Sequence, residues 1–230
     1  MEFTTKRILV IGANGVLGHA LAVRLTAAGA HVIGTARNAE SAQRLAPDLA
    51  ERLLLDLEDD ASIRALTDYL SSTGIDGVVH AAGLVAFGSV LDTPVEVQAR
   101  LLHVNHAGPA AVITALLPAL QASAAAQRQP VIASITGVVA EQAFPGMAAY
   151  VASKTAHAAW LKGARLDLRR AGIRVLDARP GHTETGLANR AISGTAPKFP
   201  QGYTADAVAD RIMQGLANDE TEIPSTAFNA

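Results

Sequence analysis

Short β-branched runs alternate with longer Ala/Leu-rich stretches along the chain, and this alternation restricts the fold more than any other feature. Strand character appears at Arg7–Ile11, His31–Thr35, Arg52–Asp56, Gly77–His80, Val131–Ser134 and Arg174–Ala178, with a weak last run near Glu222–Pro224. Helical stretches lie at Val16–Ala28, Ala39–Leu49, Ala61–Ser71, Val95–Asn105, Pro109–Ala125, Met147–Ala171 and Ala205–Ala217. Strands separated by helices in this way join as right-handed βαβ units, which build a parallel sheet covered on both faces. The runs ILVIG and GVVHAAG are almost wholly apolar, as two-sided burial requires. The expected fold is α/β, a doubly wound and mostly parallel sheet flanked by helices in an α/β/α sandwich.

The 230 residues suit one domain spanning 1–230, and a hydrophobic content of 50% against 17% charged residues supplies a sizeable core. A net charge of -2 without a basic stripe argues against a nucleic-acid or anionic-membrane partner. With no cysteine, disulfides, thiolate ligands and cysteine nucleophiles are excluded. The polar start MEFTTKR lacks a signal-peptide pattern, and no apolar run reaches 18 residues, so a cytoplasmic location is expected. The least regular segment, about 186–203, is rich in Gly, Pro, Ser and Thr and is the expected lid over a site.

After the first strand the chain reads IGANGVLGHALAVRL, with Gly12, Gly15 and Gly18 spaced G-x-x-G-x-x-G. Glycines at a strand-to-helix turn let the backbone approach a pyrophosphate, and the helix that follows offers free N–H groups. The residues expected to hold it are Gly12, Asn14, Gly15, Val16, Leu17 and Gly18. The second strand ends on Ala36 where an NAD site usually carries a carboxylate, and Arg37 follows. An Arg pairs with a 2′-phosphate, so NADP(H) is expected in preference to NAD(H), which stays possible. Asp56 and Leu57 are expected near the adenine, and HAAG places Ala81, Ala82 and Gly83 at another strand's C-terminal end, where such sheets bind ligands.

Taken together, these motifs resemble the short-chain dehydrogenase/reductase family over nearly the whole chain. The resemblance rests on GANGVLG at Gly12–Gly18, Asp56-Leu57, the AAG of Ala81–Gly83, NHAG at Asn105–Gly108, SITG at Ser134–Gly137, YVASK at Tyr150–Lys154 and RPGHTET at Arg179–Thr185. It implies a Rossmann-like sheet of about seven strands, reversible hydride transfer between a nicotinamide and a carbonyl or alcohol, and a homodimer or homotetramer. It also implies a catalytic tetrad of Asn105, Ser134, Tyr150 and Lys154. Pro180, Gly181, Thr183 and Thr185 would contact the cofactor's nicotinamide side, and Tyr150 and Lys154 its ribose.

The chain departs from the family pattern at three places. The glycine spacing is that of other branches, and His80-Ala81 stand where two asparagines are commonest. Ser134 lies 16 residues before Tyr150, whereas the compact branch has about 13 there, which would land on Gly137. SITG at a strand end favours Ser134, and Thr136 is the alternative.

Tyr150 and Lys154 are one helical turn apart, so their side chains neighbour each other. A free phenol has a pKa of about 10, and a nearby ammonium favours the phenolate, which makes the pair a tunable acid and base. In this reading the Ser134 hydroxyl holds the substrate oxygen, and Asn105 holds a water that relays protons from Lys154. His103 and His106 lack a third spaced ligand and are expected to be structural, with no metal site. His182 either faces substrate or is a solvated turn residue, and Trp160 packs in a core or subunit contact. Phe144, Met147, Leu187, Phe199 and Tyr203 suggest a small, partly apolar pocket, and Lys198 alone makes no basic patch for an acyl-carrier partner.

The expected function is an NADP(H)-dependent oxidoreductase acting on a small carbonyl or alcohol. Two alternatives stay open: a non-catalytic NADP(H)-binding sensor, and an epimerase or dehydratase that keeps its cofactor.

Overall fold

The computed structural model describes residues 2–228. Seven strands run in order of sequence as β1 Arg7–Ile11, β2 His31–Ala36, β3 Glu51–Leu54, β4 Gly77–His80, β5 Val131–Ile135, β6 Arg174–Ala178 and β7 Glu222–Ile223. They form one sheet in the spatial order β3-β2-β1-β4-β5-β6-β7. Every pairing is parallel, so the sheet is parallel throughout rather than mostly so. The helices are α1 Val16–Ala27, α2 Ala39–Ala42, α3 Asp60–Thr73, α4 Val95–Leu102, α5 Gly108–Ala125, α6 Ala148–Leu168 and α7 Ala205–Ala217.

Strand alternation sorts the core into two layers. Ile8, Val10, Val32, Val79 and Ala133 point to the face packed by α1 and α7. Leu9, Ile11, Ile33, Val78 and Ile132 point to the face packed by α3, α5 and α6. The chain order reverses between β1 and β4, and the carboxyl ends of those two strands open the crevice where such sheets take ligands.

The main differences from the sequence expectation lie in three regions. The helix expected over Ala39–Leu49 stops at Ala42, because Pro47 has no N–H and restricts the residue before it. Leu45, Ala46 and Leu49 still reach the core from an irregular path. The two helices expected to part over residues 106–108 are instead continuous from Val95 to Ala125, joined by a π-turn over His103–Ala107. That one-residue widening accommodates the missing Pro109 N–H without a break. This joined helix is long and apolar enough to span a membrane on length and composition alone, yet Val112, Ile113, Leu116 and Leu120 are fully buried against the sheet. Last, β3 ends at Leu54 and not Asp56, since the Asp56 N–H donates to the Ser62 hydroxyl and turns the chain away.

Candidate active site

A cleft of about 700 Å³ runs along the carboxyl edge of β1, β2, β4, β5 and β6. Its floor at one end is the turn before α1. The Gly15 N–H donates to the Gly12 carbonyl at 3.0 Å, and a Cβ on Gly18 would lie 2.2 Å from that same carbonyl oxygen. No side chain caps α1, and its first turn holds no acid, so its leading N–H groups are left for an anion. Gly12, Asn14, Gly15, Val16 and Leu17 line the cleft. Gly18 does not: it was expected to touch the cofactor, but it sits under Gly12 as the residue that lets helix and turn close.

Beyond this turn the cleft passes Arg37, Asp56 and Leu57, and with them Ser41 and Arg44, which the sequence reading missed. Arg44 follows the early end of α2 and lines the same cleft as Arg37. Ala36 is buried at the end of β2, and Glu58, close enough to feel the charge of Arg37, is held by Arg100 through bonds of 2.8 and 2.9 Å. Asp56 uses one oxygen to accept from the Glu58 N–H at 3.0 Å. The fit to a dinucleotide is therefore good at this end: uncapped N–H groups, a close backbone approach and two arginines on one wall.

At the other end Ala81, Ala82 and Gly83 leave β4, and Tyr150 and Lys154 of α6 face them across the cleft, with Pro180, Gly181, Thr183 and Thr185 beside β6. Burial pushes the Tyr150 phenol up to about 12, so it is protonated at neutral pH. The Lys154 ammonium is 6% exposed, donates to the Ile135 carbonyl at 3.0 Å, and is pulled down to about 8 by burial, which Asp177 opposes. The phenol thus moves up by desolvation, opposite to the expected lowering by the ammonium.

Two tetrad members lie elsewhere. Ser134 is on the β5 face that looks at α6, 1% exposed, with its hydroxyl 3.1 Å from His157 Nε2, and it does not line the cleft. Strand β5 continues through Ile135, so Ser134 stays inside the ladder and points with Ile132 into the core. Thr136, the alternative, reaches the cleft wall, but its hydroxyl donates to Asp177 at 2.5 Å. Gly137 lines the cleft at the position that the spacing from Tyr150 indicated, and it has no side chain and a φ of +86°. Asn105 sits in the π-turn, fully buried. Its amide donates to the Leu84 carbonyl and the Ser153 hydroxyl, both at 2.9 Å, and its oxygen accepts from the Leu84 N–H at 2.8 Å. Both of its side-chain N–H bonds are thus committed to protein groups, and the side chain fixes the exit of β4 against α6.

His103 bonds the Leu57 carbonyl at 2.9 Å, and His106 lies 3.5 Å from His157, which stacks on Trp160. His182 lines the cleft and stacks on Phe199 with centroids 4.6 Å apart. Phe144, Met147, Leu187 and Phe199 form the apolar wall, joined by Val85 and Phe87, which the sequence reading missed. Tyr203 turns away to pack on the α7 side of the core and to pair with Thr183. The segment 186–203 lies across the cleft: the Ile192 N–H donates to Val85 and the Phe87 N–H to Ser193, both at 2.9 Å.

The profile of the family described as short chain dehydrogenase matches residues 6–195. A curated relative, dehydrogenase/reductase SDR family protein 7-like of Anopheles gambiae, is 31% identical over 95% of this chain and 74% of its own. Among solved structures, a short chain dehydrogenase from Burkholderia cenocepacia in complex with NADP aligns at TM-score 0.83 and 23% identity, covering 99% of this chain and 91% of that one. A 3-ketoacyl-(acyl-carrier-protein) reductase from Brucella melitensis complexed with NADH aligns at TM-score 0.87 and 23% identity, covering 99% and 100%.

Proposed function

From the premise that this chain belongs to the short-chain dehydrogenase family of nicotinamide-dependent oxidoreductases, we propose that it is an NADP(H)-preferring reductase of small, apolar carbonyl compounds, the reverse oxidation using the same groups. The observation that carries this reading is Tyr150: a phenol that lines a cofactor-sized crevice together with Lys154 one helical turn on. The α1 N-terminus and its glycine turn would hold the pyrophosphate, Arg37 and Arg44 the 2′-phosphate, and Lys154 the nicotinamide ribose. A bound nicotinamide supplies hydride to the carbonyl carbon, or takes it back. Tyr150 gives its proton to the carbonyl oxygen, and Lys154 beside it steadies the phenolate that remains. Val85, Phe87, Val139 and Met147 keep the substrate end apolar, and no uncommitted basic cluster there asks for a charged substrate.

The test follows absorbance at 340 nm with NADPH or NADH against small ketones, aldehydes and quinones. Tyr150→Phe should lower kcat by about 100-fold or more while NADPH still binds. The Arg37→Ala, Arg44→Ala double variant should lose at least about ten-fold of the NADPH preference. Retained activity in Tyr150→Phe would end the assignment of the acid. The absence of a free hydroxyl at Gly137 favours one second reading, a dinucleotide-binding protein without turnover, which predicts tight NADPH binding and no consumption across the panel.

A further inference from the structure

A carbonyl oxygen held by one donor can still swing about that bond, so a reductase gains from a second one. Tyr150 is the first. At the end of β5 and in the turn after it, Ser134 is bonded to His157, Thr136 to Asp177, and position 137 has no side chain. We propose that His182 is the second donor, its imidazole N–H holding the substrate oxygen together with Tyr150 in place of a hydroxyl at position 137. This rests on the reductase reading above.

The geometry brings the two positions to one wall. The Val138 N–H donates to the Pro180 carbonyl at 2.8 Å, and a Cβ on Gly137 would lie 3.6 Å from that same oxygen. His182 is two residues further on and lines the same cleft. Two other polar side chains of this wall, Thr183 and Arg190, spend donors on backbone carbonyls, and Thr185 takes part as an acceptor. The Thr183 hydroxyl donates to the Gly181 carbonyl at 3.0 Å, the Thr185 oxygen accepts from the Leu187 N–H at 3.4 Å, and Arg190 donates to the Gly186 and Thr185 carbonyls at 3.2 and 3.3 Å.

His182 is held but not spent. Its ring lies nearly parallel to Phe199 of the lid, at 20°. Its Nε2 is 3.5 Å from Glu184 Oε1, longer than a committed hydrogen bond, and that oxygen already accepts from the Gly202 N–H at 2.8 Å. The ring donates from the nitrogen that carries its proton, which for this role is the one turned toward the substrate oxygen. The stack fixes the plane of the ring, and the lid thus places the donor when it lies across the cleft.

Two substitutions separate the donor from the stack. His182→Phe keeps a ring on Phe199 and removes the N–H; His182→Gln keeps an N–H and removes the ring. With a carbonyl that the wild type reduces, His182→Phe should lower kcat/KM by about 10- to 100-fold, chiefly through kcat, with the NADPH Kd unchanged. His182→Gln should recover at least about three-fold of that loss. The inference is overturned if His182→Phe stays within about two-fold of wild type, or if His182→Gln does no better than His182→Phe. Either result leaves the reductase reading standing as long as Tyr150→Phe is dead. A wild-type protein that binds NADPH yet reduces nothing in the panel overturns both.

Discussion

Lys154, with its buried ammonium, costs the fold stability. In the unfolded chain it is an ordinary lysine, with a pKa of about 10.5; folding buries its ammonium and brings the value to about 8. The folded value is the lower one, so between these two pH values the unfolded chain binds a proton that the native protein has released, and stability rises with pH across the window. Below pH 8 the whole penalty is present, about 3 kcal/mol for a shift of this size. Lys154→Met should therefore stabilise the protein at pH 7 by about 2 kcal/mol, once about 1 kcal/mol is set against the stranded Ile135 carbonyl. The advantage should shrink to nothing by about pH 10 and turn into a deficit approaching about 1 kcal/mol above it, and the proposed reductase activity should be lost at every pH. Urea unfolding at pH 7 and pH 10 reads both terms, and a variant less stable than wild type at pH 7 would mean that the ammonium is not desolvated as the structure has it.

At the scale of elements, the contact of α6 with the sheet carries an unusual polar row. His80 of β4, Ser134 of β5 and Asp177 of β6 are register neighbours across three strands, and His157 of α6 comes down on them. Neither nitrogen of His80 has a hydrogen-bond partner among the described residues, and its ring meets His157 edge-on at 5.1 Å. Burial pulls His157 down to about 3 and His80 well below the ordinary histidine value, with Lys154 adding repulsion to each. These folded values are again the depressed ones, so below about pH 6.5 the unfolded chain takes up protons that the native protein refuses, and acid removes stability. His157→Gln should flatten that fall by roughly 1.4 kcal/mol per pH unit between pH 5.5 and 4 relative to wild type. Parallel stability curves from urea titrations of the two proteins would show that His157 accepts its proton in place.

The same row explains what could and could not be read from the sequence. The glycine turn, the Tyr150–Lys154 pair and the Pro180–Thr185 segment are local patterns, and each lines the cleft. Family membership and the seven-stranded sheet followed from their order. Ser134 failed because its direction depends on strand parity, and β5 runs one residue past the expected end. The spacing that pointed to Gly137 was the available signal. Arg44, Val85 and Phe87 were missed for another reason: they reach the cleft through a helix that stops at Ala42 and through a pairing of residues 85–87 with 192–193, contacts that no local pattern encodes. Pro47 was the one visible warning of the first.

Across the whole molecule, the two edges of the sheet are built for opposite purposes. The carboxyl edge holds the cleft, the desolvated lysine and the unsatisfied histidine. The amino edge is tied by Asp76, 4% exposed, whose carboxylate accepts from Arg128 twice at 2.7 Å, from Ser123 at 2.6 Å and from the Arg7 N–H at 2.8 Å. Asp76 precedes β4 and Arg128 precedes β5, and Arg128 also donates to the Thr5 carbonyl at 2.8 Å, so one ion pair fastens two strand starts and the N-terminal arm. Arg128→Ala strands a buried carboxylate, which costs about 3 kcal/mol in full burial; with the Arg128 side chain 39% exposed, water reaches the site and about 2 kcal/mol is expected. Sites at opposite ends of the strands share no partners, so their effects should add, and kcat and the NADPH KM should stay at wild-type values. The contrast with Lys154→Met is the informative one: one variant loses stability and keeps activity, the other does the reverse. Unfolding and NADPH oxidation measured on both proteins test it together. If Arg128→Ala lowered kcat as well, the strands would be transmitting the change from one edge to the other, and the placement of Tyr150 would depend on how firmly β4 and β5 are fastened at their far ends.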